Sequence, residues 1–257
     1  MNAAAHANQI AFFALMAERC GGAVDRHDGT VSVALAHPFP FFNALLVEGD
    51  VGDPGAALEH AREFFTAHDR PEWSVFARPT GEDEGIEAAM KAAGLPVVNP
   101  NYREMARAEP IEPPPLAPEI ALREVESDEE RAAFWRLCGE AYASLNFPAE
   151  AFDGCEPLLH PPVTACLAWL DGRPVGGALV CLLEGVGFVG WVAASPEARG
   201  KGVGAAVTAW VTNRTLADGA EFASLQASPM GLPVYERLGY ETLFDYRVWR
   251  YSARGQT

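Results

Sequence analysis

The sequence predicts a chain of the α/β (α+β) class that is organised as two consecutive domains. In both halves of the 257 residues, runs of β-branched and aromatic residues alternate with longer segments of helical periodicity. A proline-rich segment at 108–120, AEPIEPPPLAPEI, favours extended geometry and can enter neither a helix nor a sheet interior. We therefore predict one domain over 1–108, a linker over 109–118 and a second domain over 119–257.

The second half carries clear start, stop and turn signals. Ser127 before three acidic residues is a typical N-cap, and Pro233 and Gly239 mark the start and end of a short helix. Asp-Gly at 171–172 and Glu-Gly at 184–185 separate strand-forming runs. The predicted elements are a strand at 119–126, a helix at 128–143, an irregular segment at 144–161, strands at 163–170, 174–183 and 186–194, a helix at 202–218, a strand at 221–227, a helix at 231–238 and a strand at 242–251.

The first half repeats the order in which the second half ends. Its predicted elements are a strand at 42–49, a helix at 54–68, a strand at 73–78, a helix at 84–94 and a strand at 101–107. The shared order of strand, helix, strand, helix and strand indicates a diverged internal duplication.

Composition and charge exclude several classes of function. The net charge of −16 argues against non-specific binding to nucleic acid or to anionic membranes. The five cysteines form no C-x-x-C pair and no metal-ligand spacing with histidine, which predicts a reduced, cytoplasmic protein without a metal site. Two apolar stretches, at 10–17 and 174–194, do not predict membrane segments. The first lacks a preceding cation, and the second contains Glu184.

The stretch SPEARGKGVGAAV at 195–207 is typical of an anion-binding loop. It precedes a predicted helix, whose first N–H groups are unpaired and carry partial positive charge. A P-loop is excluded because Lys201 is followed by Gly202 and not by serine or threonine. A dinucleotide fingerprint is matched in part, but no acidic residue follows for a ribose and too few strands remain. An ordinary glycine-rich turn stays open as the alternative.

Two stretches together, GWVAASPEARGKGVGAAVTAWV and ASLQASPMGLPVYERLGYE, resemble the GNAT superfamily of N-acetyltransferases. Arg199, Gly202 and Gly204 match its loop pattern R/Q-x-x-G-x-G/A, and residues 235–240 match its Y-E-R-L-G-Y/F element. The resemblance covers 119–251 well and 1–108 only in element order, as in tandem-GNAT proteins. It implies a GNAT fold in two tandem domains, each with a mixed, mostly antiparallel sheet flanked by helices.

The resemblance also implies acetyl-CoA as the acyl donor. We expect the strand that ends at 194 to splay from the next strand, so that its last backbone groups bind pantetheine and the following loop binds the diphosphate. The residues expected to bind the cofactor are Val192, Ala193, Ala194, Arg199, Gly200, Lys201, Gly202, Val203, Gly204, Ala205, Ser228 and Tyr235. Ser228 has the alternative role of capping the helix that contains Tyr235.

The same resemblance implies that Tyr235 is the general acid that protonates the departing thiolate. The alternative is a tyrosine that only packs in the core. A base for the acceptor amine is also expected, because most amines are protonated at neutral pH. Glu184 is the carboxylate nearest in sequence to the strand at 186–194. The alternative is that Glu184 is only a solvated turn residue. Glu140, Tyr142 and His160 flank the irregular segment without standing out.

The first half lacks both chemical elements. Its equivalent loop, GDVGDPG at 49–55, places Asp50 and Asp53 where a diphosphate would be repelled, and Met90 stands at the tyrosine position. We therefore predict no cofactor in this half, which instead forms a wall of the acceptor pocket or stabilises the second half.

The function predicted from these observations is N-acetylation, with transfer to an amine-bearing small molecule or peptide by direct attack. A cationic acceptor is favoured by the negative charge of the chain. The expected partners are acetyl-CoA or CoA, the acceptor and a second copy in a homodimer, but no nucleic acid, membrane or metal. The alternatives are a non-catalytic acyl-CoA-binding regulator, and an acetyltransferase of a protein partner recruited by the first half.

Overall fold

The computed structural model describes residues 1–253. The last four residues, which belong to the domain predicted over 119–257, lie outside the described residues. The chain forms two compact units, each built from segments that are distant in sequence. Unit 1 contains Met1–Phe12 and Glu104–Leu243, and unit 2 contains Phe13–Arg103 and the described residues from Phe244 onward. The division differs from the linear boundary predicted at 109–118, because the chain crosses between units inside secondary-structure elements.

Six α-helices and eleven strands are found between residues 1 and 253, together with short 3-10 turns. The helices are α1 (Asn2–Arg19), α2 (Pro54–Ala67), α3 (Glu84–Ala92), α4 (Asp128–Tyr142), α5 (Val203–Ala217) and α6 (Leu232–Arg237). The strands are β1 (Ala23–His27), β2 (Thr30–Ala34), β3 (Asn43–Val47), β4 (Glu72–Ala77), β5 (Val97–Arg107), β6 (Ile120–Glu124), β7 (Val163–Leu170), β8 (Arg173–Leu183), β9 (Val186–Ala194), β10 (Phe222–Ala227) and β11 (Glu241–Ser252).

Unit 2 contains the strand order β1-β2-β3-β4-β11. All neighbouring pairs are antiparallel except β3 and β4, which run parallel on either side of the helix α2 connection. Asp53 caps α2, since its carboxylate accepts hydrogen bonds from the N–H groups of Gly55 and Ala56 at 3.0 and 3.1 Å. A carboxylate therefore occupies the helix start that corresponds to the predicted anion-binding loop of the second half.

Unit 1 contains the strand order β10-β9-β8-β7-β6, antiparallel throughout except for the parallel pair β9 and β10. The mixed, mostly antiparallel sheet that the resemblance implied is confirmed. Two consecutive glycines of β8 let helices approach both faces: a Cβ on Gly176 would lie 2.1 Å from Cγ1 of Val203 in α5. A Cβ on Gly177 would lie 3.1 Å from the ring of Phe134 in α4. Because successive strand residues point to opposite faces, α5 and α4 cover opposite sides of the sheet.

Local signals in the second half predict its elements closely. Strands are found at 163–170 and 186–194 as predicted, and the capping box of Ser127 and Glu130 starts α4. Three elements of the first half were not predicted, namely α1, β1 and β2. Each helix within residues 1–253 is too short or too polar to span a lipid bilayer.

The proline-rich segment is attached to unit 1 and does not behave as a free linker. Ile111 is buried, and its backbone N–H and C=O are both hydrogen-bonded by the Asn213 side chain of α5. Further along, the Pro115 carbonyl oxygen would lie 3.0 Å from a Cβ placed on Gly202. The segment therefore follows α5 towards the helix start.

Candidate active site

The ends of β9 and β10 part from each other within unit 1. Their parallel register joins Phe222 to Val186, Ala223 to Gly187 and Ser224 to Phe188, and extends no further within the described residues. Beyond Phe188, β9 continues to Ala194. The expected splay is therefore present, and it leaves backbone groups at the carboxyl ends of both strands without a partner from the opposing strand. We refer to this opening between β9 and β10 as the gap.

A bulge lies on the β9 side of the gap. Leu179 pairs with Gly190 and Gly177 with Ala193, so that Trp191 and Val192 together oppose the single residue between their partners. Trp191 adopts a φ of +50°, a conformation that costs on the order of 1 kcal/mol for a residue with a Cβ. A bulge of this kind turns backbone N–H and C=O groups away from the ladder.

The carbonyl of Val192 already has a partner. The hydroxyl of Tyr142, the last residue of α4, donates to it at 3.1 Å. The Val192 carbonyl is thus engaged inside the protein, and the cofactor contact expected of Val192 stays a prediction. Tyr142, which did not stand out in the sequence, thus fixes the bulge from the α4 side.

The loop after β9 leads into an uncapped helix. Gly200 and Gly202 have φ values of +75° and +81°, which favour glycine. Gly202 is the N-cap of α5 and has no side chain to accept from the first N–H groups. The first helical bond runs from Ala206 N–H to Gly202 C=O at 2.9 Å, so the three preceding N–H groups of the helix have no intrahelical acceptor.

The space in front of this helix start is open. A Cβ on Gly200 or on Gly204 would meet no other atom of the described residues within 4 Å. Unpaired N–H groups, the positive end of the α5 dipole and open space are the requirements for binding a phosphate group. The anion-binding geometry predicted for residues 200–205 is therefore present.

The two cations of the loop have different positions. Lys201 is exposed. The Arg199 guanidinium instead donates to the carbonyl of Ala141 at 3.2 Å and to Oγ of Ser144 at 3.1 Å, at the end of α4. Arg199 thus attaches the loop to α4, and its contact with the cofactor stays a prediction. Lys201 is the exposed cation beside the helix start.

Tyr235 lies in α6 with 8% of its surface exposed. Its ring packs on Gly231, where a Cβ would lie 2.7 Å from the ring and 3.2 Å from the hydroxyl. Burial raises the pKa of the Tyr235 phenol well above its ordinary value, so the phenol stays protonated at neutral pH. Oγ of Ser228 accepts from the N–H of Gly231, the N-cap residue of α6, at 3.1 Å, and the first N–H groups of α6 receive no side-chain cap.

Glu184 is not brought near the gap. It lies exposed in the turn before β9 with a φ of +49°, at the end of the strand opposite to Val192. Eight residues of extended chain separate these two positions, a distance of about 25 Å. Glu184 is therefore too remote to serve as the base, and this prediction is corrected. Glu140 and His160 are both exposed.

A carboxylate that the sequence analysis missed lies in β5. Glu104 is fully buried, and its Oε2 accepts a hydrogen bond from the side-chain amide of Gln226 in β10. Burial raises the pKa of Glu104 to about 8, although hydrogen bonding from Gln226 and the nearby Ser224 acts in the opposite direction. The signal in the sequence was an acidic residue inside a predicted strand, between Arg103 and Met105.

Part of the chain matches a protein-family model. Residues 121–240 match the model of the acetyltransferase (GNAT) family. No curated protein matches the chain significantly.

Several solved structures share the fold at low sequence identity. A GCN5-related N-acetyltransferase from Kribbella flavida has a TM-score of 0.71 and 24% identity, with 95% of this chain and 94% of that chain covered. A tandem GNAT protein from the clavulanic acid biosynthesis pathway, solved without AcCoA, has a TM-score of 0.63 and 19% identity, with 96% and 95% covered. A GCN5-related N-acetyltransferase from Sphaerobacter thermophilus has a TM-score of 0.63 and 18% identity, with 88% and 77% covered. These similarities extend over both halves of the chain and show a shared fold.

Proposed function

We propose that the protein transfers an acetyl group from acetyl-CoA to an amine, as the match of residues 121–240 to the model of the acetyltransferase (GNAT) family suggests. The observation that carries the proposal is the open, uncapped start of α5 directly after the end of β9. The start of α5 suits the diphosphate of acetyl-CoA, and the end of β9 suits its amide-bearing pantetheine arm. Both lie on one continuous segment of unit 1.

Backbone groups hold the donor in this proposal. The N–H groups of Val203, Gly204 and Ala205 bind the diphosphate, and exposed Lys201 adds a positive charge. The unpaired edge of β9 near Ala193 and Ala194 bonds the pantetheine amides as an added strand would. The N–H of Val192, next to the strained Trp191, polarises the thioester carbonyl.

Tyr235 supplies the proton for the departing group. As the acceptor nitrogen bonds to the thioester carbon and the carbon–sulfur bond breaks, the phenol donates its proton to the sulfur. Burial keeps this phenol protonated up to high pH, which suits a general acid. Its ring also packs in the core formed with Leu225 and Val207, so packing fixes the position of the hydroxyl.

The cysteines and the net charge favour a particular compartment and a particular class of acceptor. We propose a reducing compartment such as the cytoplasm, because the five cysteines are all buried as small core residues. The net charge of −16 favours a cationic acceptor, an amine-bearing small molecule or peptide.

The test has two stages. Isothermal titration calorimetry with acetyl-CoA measures donor binding to the full chain, and release of free CoA thiol is then followed over a panel of amines. We expect acetyl-CoA to bind with 1:1 stoichiometry and at least one amine to accelerate thiol release. Binding without release for every amine supports a non-catalytic acyl-CoA-binding protein, and absence of binding contradicts the proposal.

A further inference from the structure

A cavity lies between the proline-rich segment and α5, and we refer to it as the groove. Its volume of about 440 Å³ falls within the range of about 300–1,000 Å³ that is typical of pockets for small molecules. Its walls come from unit 1 alone: the segment supplies Pro113, Pro114 and Leu116, and β6 supplies Leu122. The gap lies between β9 and β10, whereas β6 is an edge strand three positions from β9, so the groove and the gap are separate places.

The sequence of α5 explains why there is space beside the helix. Four lining residues, Ala206, Ala209, Trp210 and Asn213, are spaced three and four positions apart and therefore lie on one face of α5. The short side chains of the two alanines leave room between the helix and the proline-rich segment. Trp210 is half-buried and lines the groove as its one aromatic residue.

The wall opposite α5 is held in place before any ligand binds. Pro113 and Pro114 each have a restricted φ and no backbone N–H. Two residues before them, both backbone groups of Ile111 are bonded by the Asn213 side chain. Because the groove is already formed, a ligand that enters it orders little of the chain, and binding loses little conformational entropy.

The polar side-chain groups left available in the groove are hydrogen-bond donors. The indole N–H of Trp210 is accessible and donates to no atom of residues 1–253. Nη2 of Arg214 likewise has no partner within the described part of the chain. The one side-chain acceptor of the lining, Oδ1 of Asn213, already accepts a backbone N–H. A ligand that suits the groove therefore supplies a hydrogen-bond acceptor.

The charge of Arg214 is balanced by two carboxylates that do not line the groove. Its Nε donates to Asp218 at 2.8 Å, and its Nη1 donates to Glu124. An anionic ligand would therefore gain little from this guanidinium and would be repelled by the net charge of −16. A cationic ligand would place its charge next to a guanidinium and to donors that cannot bond it. The groove is thus suited to an uncharged molecule.

We infer that the groove is a second ligand site, which binds an uncharged aromatic molecule that carries a carbonyl oxygen. The aromatic body packs between the two prolines and the indole of Trp210, since apolar rings of this kind stack on a flat ligand. The carbonyl oxygen accepts a hydrogen bond from the Trp210 N–H. The inference goes beyond acetyl transfer and does not depend on it.

The experiment titrates 2-acetylnaphthalene, an aromatic ketone, into the full chain labelled with nitrogen-15. Two-dimensional NMR follows the indole N–H resonances of the six tryptophans, and the Trp210 resonance is identified by its absence in Trp210→Phe. We expect the Trp210 resonance to shift until saturation, with a dissociation constant below about 1 mM. Naphthalene-2-carboxylate and 2-naphthylmethylamine, which are charged probes of similar shape, should bind at least about tenfold more weakly.

Two variants of Trp210 test the wall and the hydrogen bond separately, with dissociation constants taken from line broadening of the probe's own resonances. Trp210→Ala removes the aromatic wall and should weaken 2-acetylnaphthalene at least about tenfold. Trp210→Phe keeps an apolar ring but removes the donor. It should weaken the ketone by about three- to tenfold and leave the affinity for naphthalene, which has no oxygen, unchanged.

Trp169→Ala is the matched control. Trp169 is half-buried like Trp210, but it lies on the opposite face of the sheet. Its neighbour Ala168 pairs with Leu122 and packs in the core beside α5, so the side chain of Trp169 points away from α5. This variant should bind the ketone as the wild type does.

Three outcomes would overturn the inference. The first is a Trp210 resonance that does not move, and the second is equal binding of the ketone and both charged probes, which indicates non-specific apolar contact. The third is a wild type that binds no probe and is a dimer in sedimentation, whereas Trp210→Ala is a monomer, which assigns the groove to a second copy of the chain. All measurements are made without acetyl-CoA, so each of these outcomes leaves the proposed function standing.

Discussion

The side-chain amide of Asn213 in α5 and the backbone of Ile111 exchange two hydrogen bonds. The Ile111 N–H donates to Oδ1 of Asn213 at 2.7 Å, and Nδ2 of Asn213 donates to the Ile111 carbonyl at 2.8 Å. A single side chain thus replaces the pairing that a strand would provide, in a segment where Pro110 and Pro113 have no N–H to offer. The segment is thereby fixed alongside α5, and its Pro115 carbonyl comes close to Gly202.

Asn213→Ala should loosen this attachment and destabilise the protein. Both backbone groups of the buried Ile111 would lose their partner, which costs about 1–3 kcal/mol in the free energy of unfolding. Urea denaturation followed by far-UV circular dichroism measures the loss. Asn101→Ala, at an exposed position, serves as the control and should change stability by less than about 0.5 kcal/mol. Equal stabilities of the two variants would show that the segment is not held by Asn213.

Alanine at Gly204 and alanine at Gly202 should change the free energy of unfolding in opposite directions. Gly204→Ala places its methyl group in open space at a helical position, so the free energy of unfolding should rise by up to about 1 kcal/mol. The same methyl group blocks the approach of the diphosphate, and acetyl-CoA affinity should fall at least about tenfold, or about 1.4 kcal/mol. Gly202→Ala should destabilise the fold, because φ is +81° there and Pro115 is close. Thermal unfolding and calorimetric titration separate the two effects. Full affinity in Gly204→Ala contradicts the proposed diphosphate site.

Tyr235→Phe removes the proton donor but keeps the ring that packs on Gly231. The rate of thiol release at saturating substrates should fall by about 10²-fold, and the dissociation constant of acetyl-CoA should change little. Stopped assays of free thiol give the first quantity, and calorimetry gives the second. A variant with the wild-type rate would assign Tyr235 to the core alone.

Lys201→Ala tests the charge beside the helix start. The lysine is exposed, so its attraction to a diphosphate should be modest, and we expect a three- to tenfold weaker affinity, or about 0.7–1.4 kcal/mol. Raising the salt concentration should reduce the difference between variant and wild type, because it screens the charge. Lys91→Ala, which removes the only other lysine of the chain, is the matched control. Identical effects of both substitutions would point to net charge alone.

Glu104 should make stability decrease with rising pH. Its pKa is about 8 in the folded chain and close to the ordinary value of 4.5 when unfolded, so between these pH values the unfolded state binds fewer protons. The carboxyl therefore stabilises the fold least at and above pH 8, and the difference from pH 4.5 is about 1.4 kcal/mol for each unit of the shift. Urea denaturation of wild type and Glu104→Gln at pH 5 and pH 8 isolates this contribution. A difference between the two proteins that does not vary with pH contradicts the buried, protonated carboxyl.

The sequence predicts features whose signals are local. The anion-binding loop, the turns at Asp171 and Glu184 and the capping box at Ser127 each depend on a few neighbouring residues. The hairpin of β1 and β2 also has such a signal, Asp-Gly at 28–29, which the sequence analysis did not use.

Contacts between distant residues could not be predicted in this way. Glu104 meets Gln226 from 122 positions away, and Arg199 turns to the end of α4 because of how the loop packs. Tyr142 contacts Val192, 50 positions away, because α4 packs on the sheet. Proximity in sequence therefore led to Glu184 as the candidate base, and the burial of the Glu104 carboxyl in β5 had no local signal.

The interleaved segments of the two units have a consequence for how this chain can be divided. A fragment that ends at 108 would lack the residues from 244 onward that complete unit 2, and one that begins at 119 would lack Glu104 and the first turns of α1. A cut at the proline-rich segment therefore leaves neither unit with all of its segments, although the two halves share an order of elements.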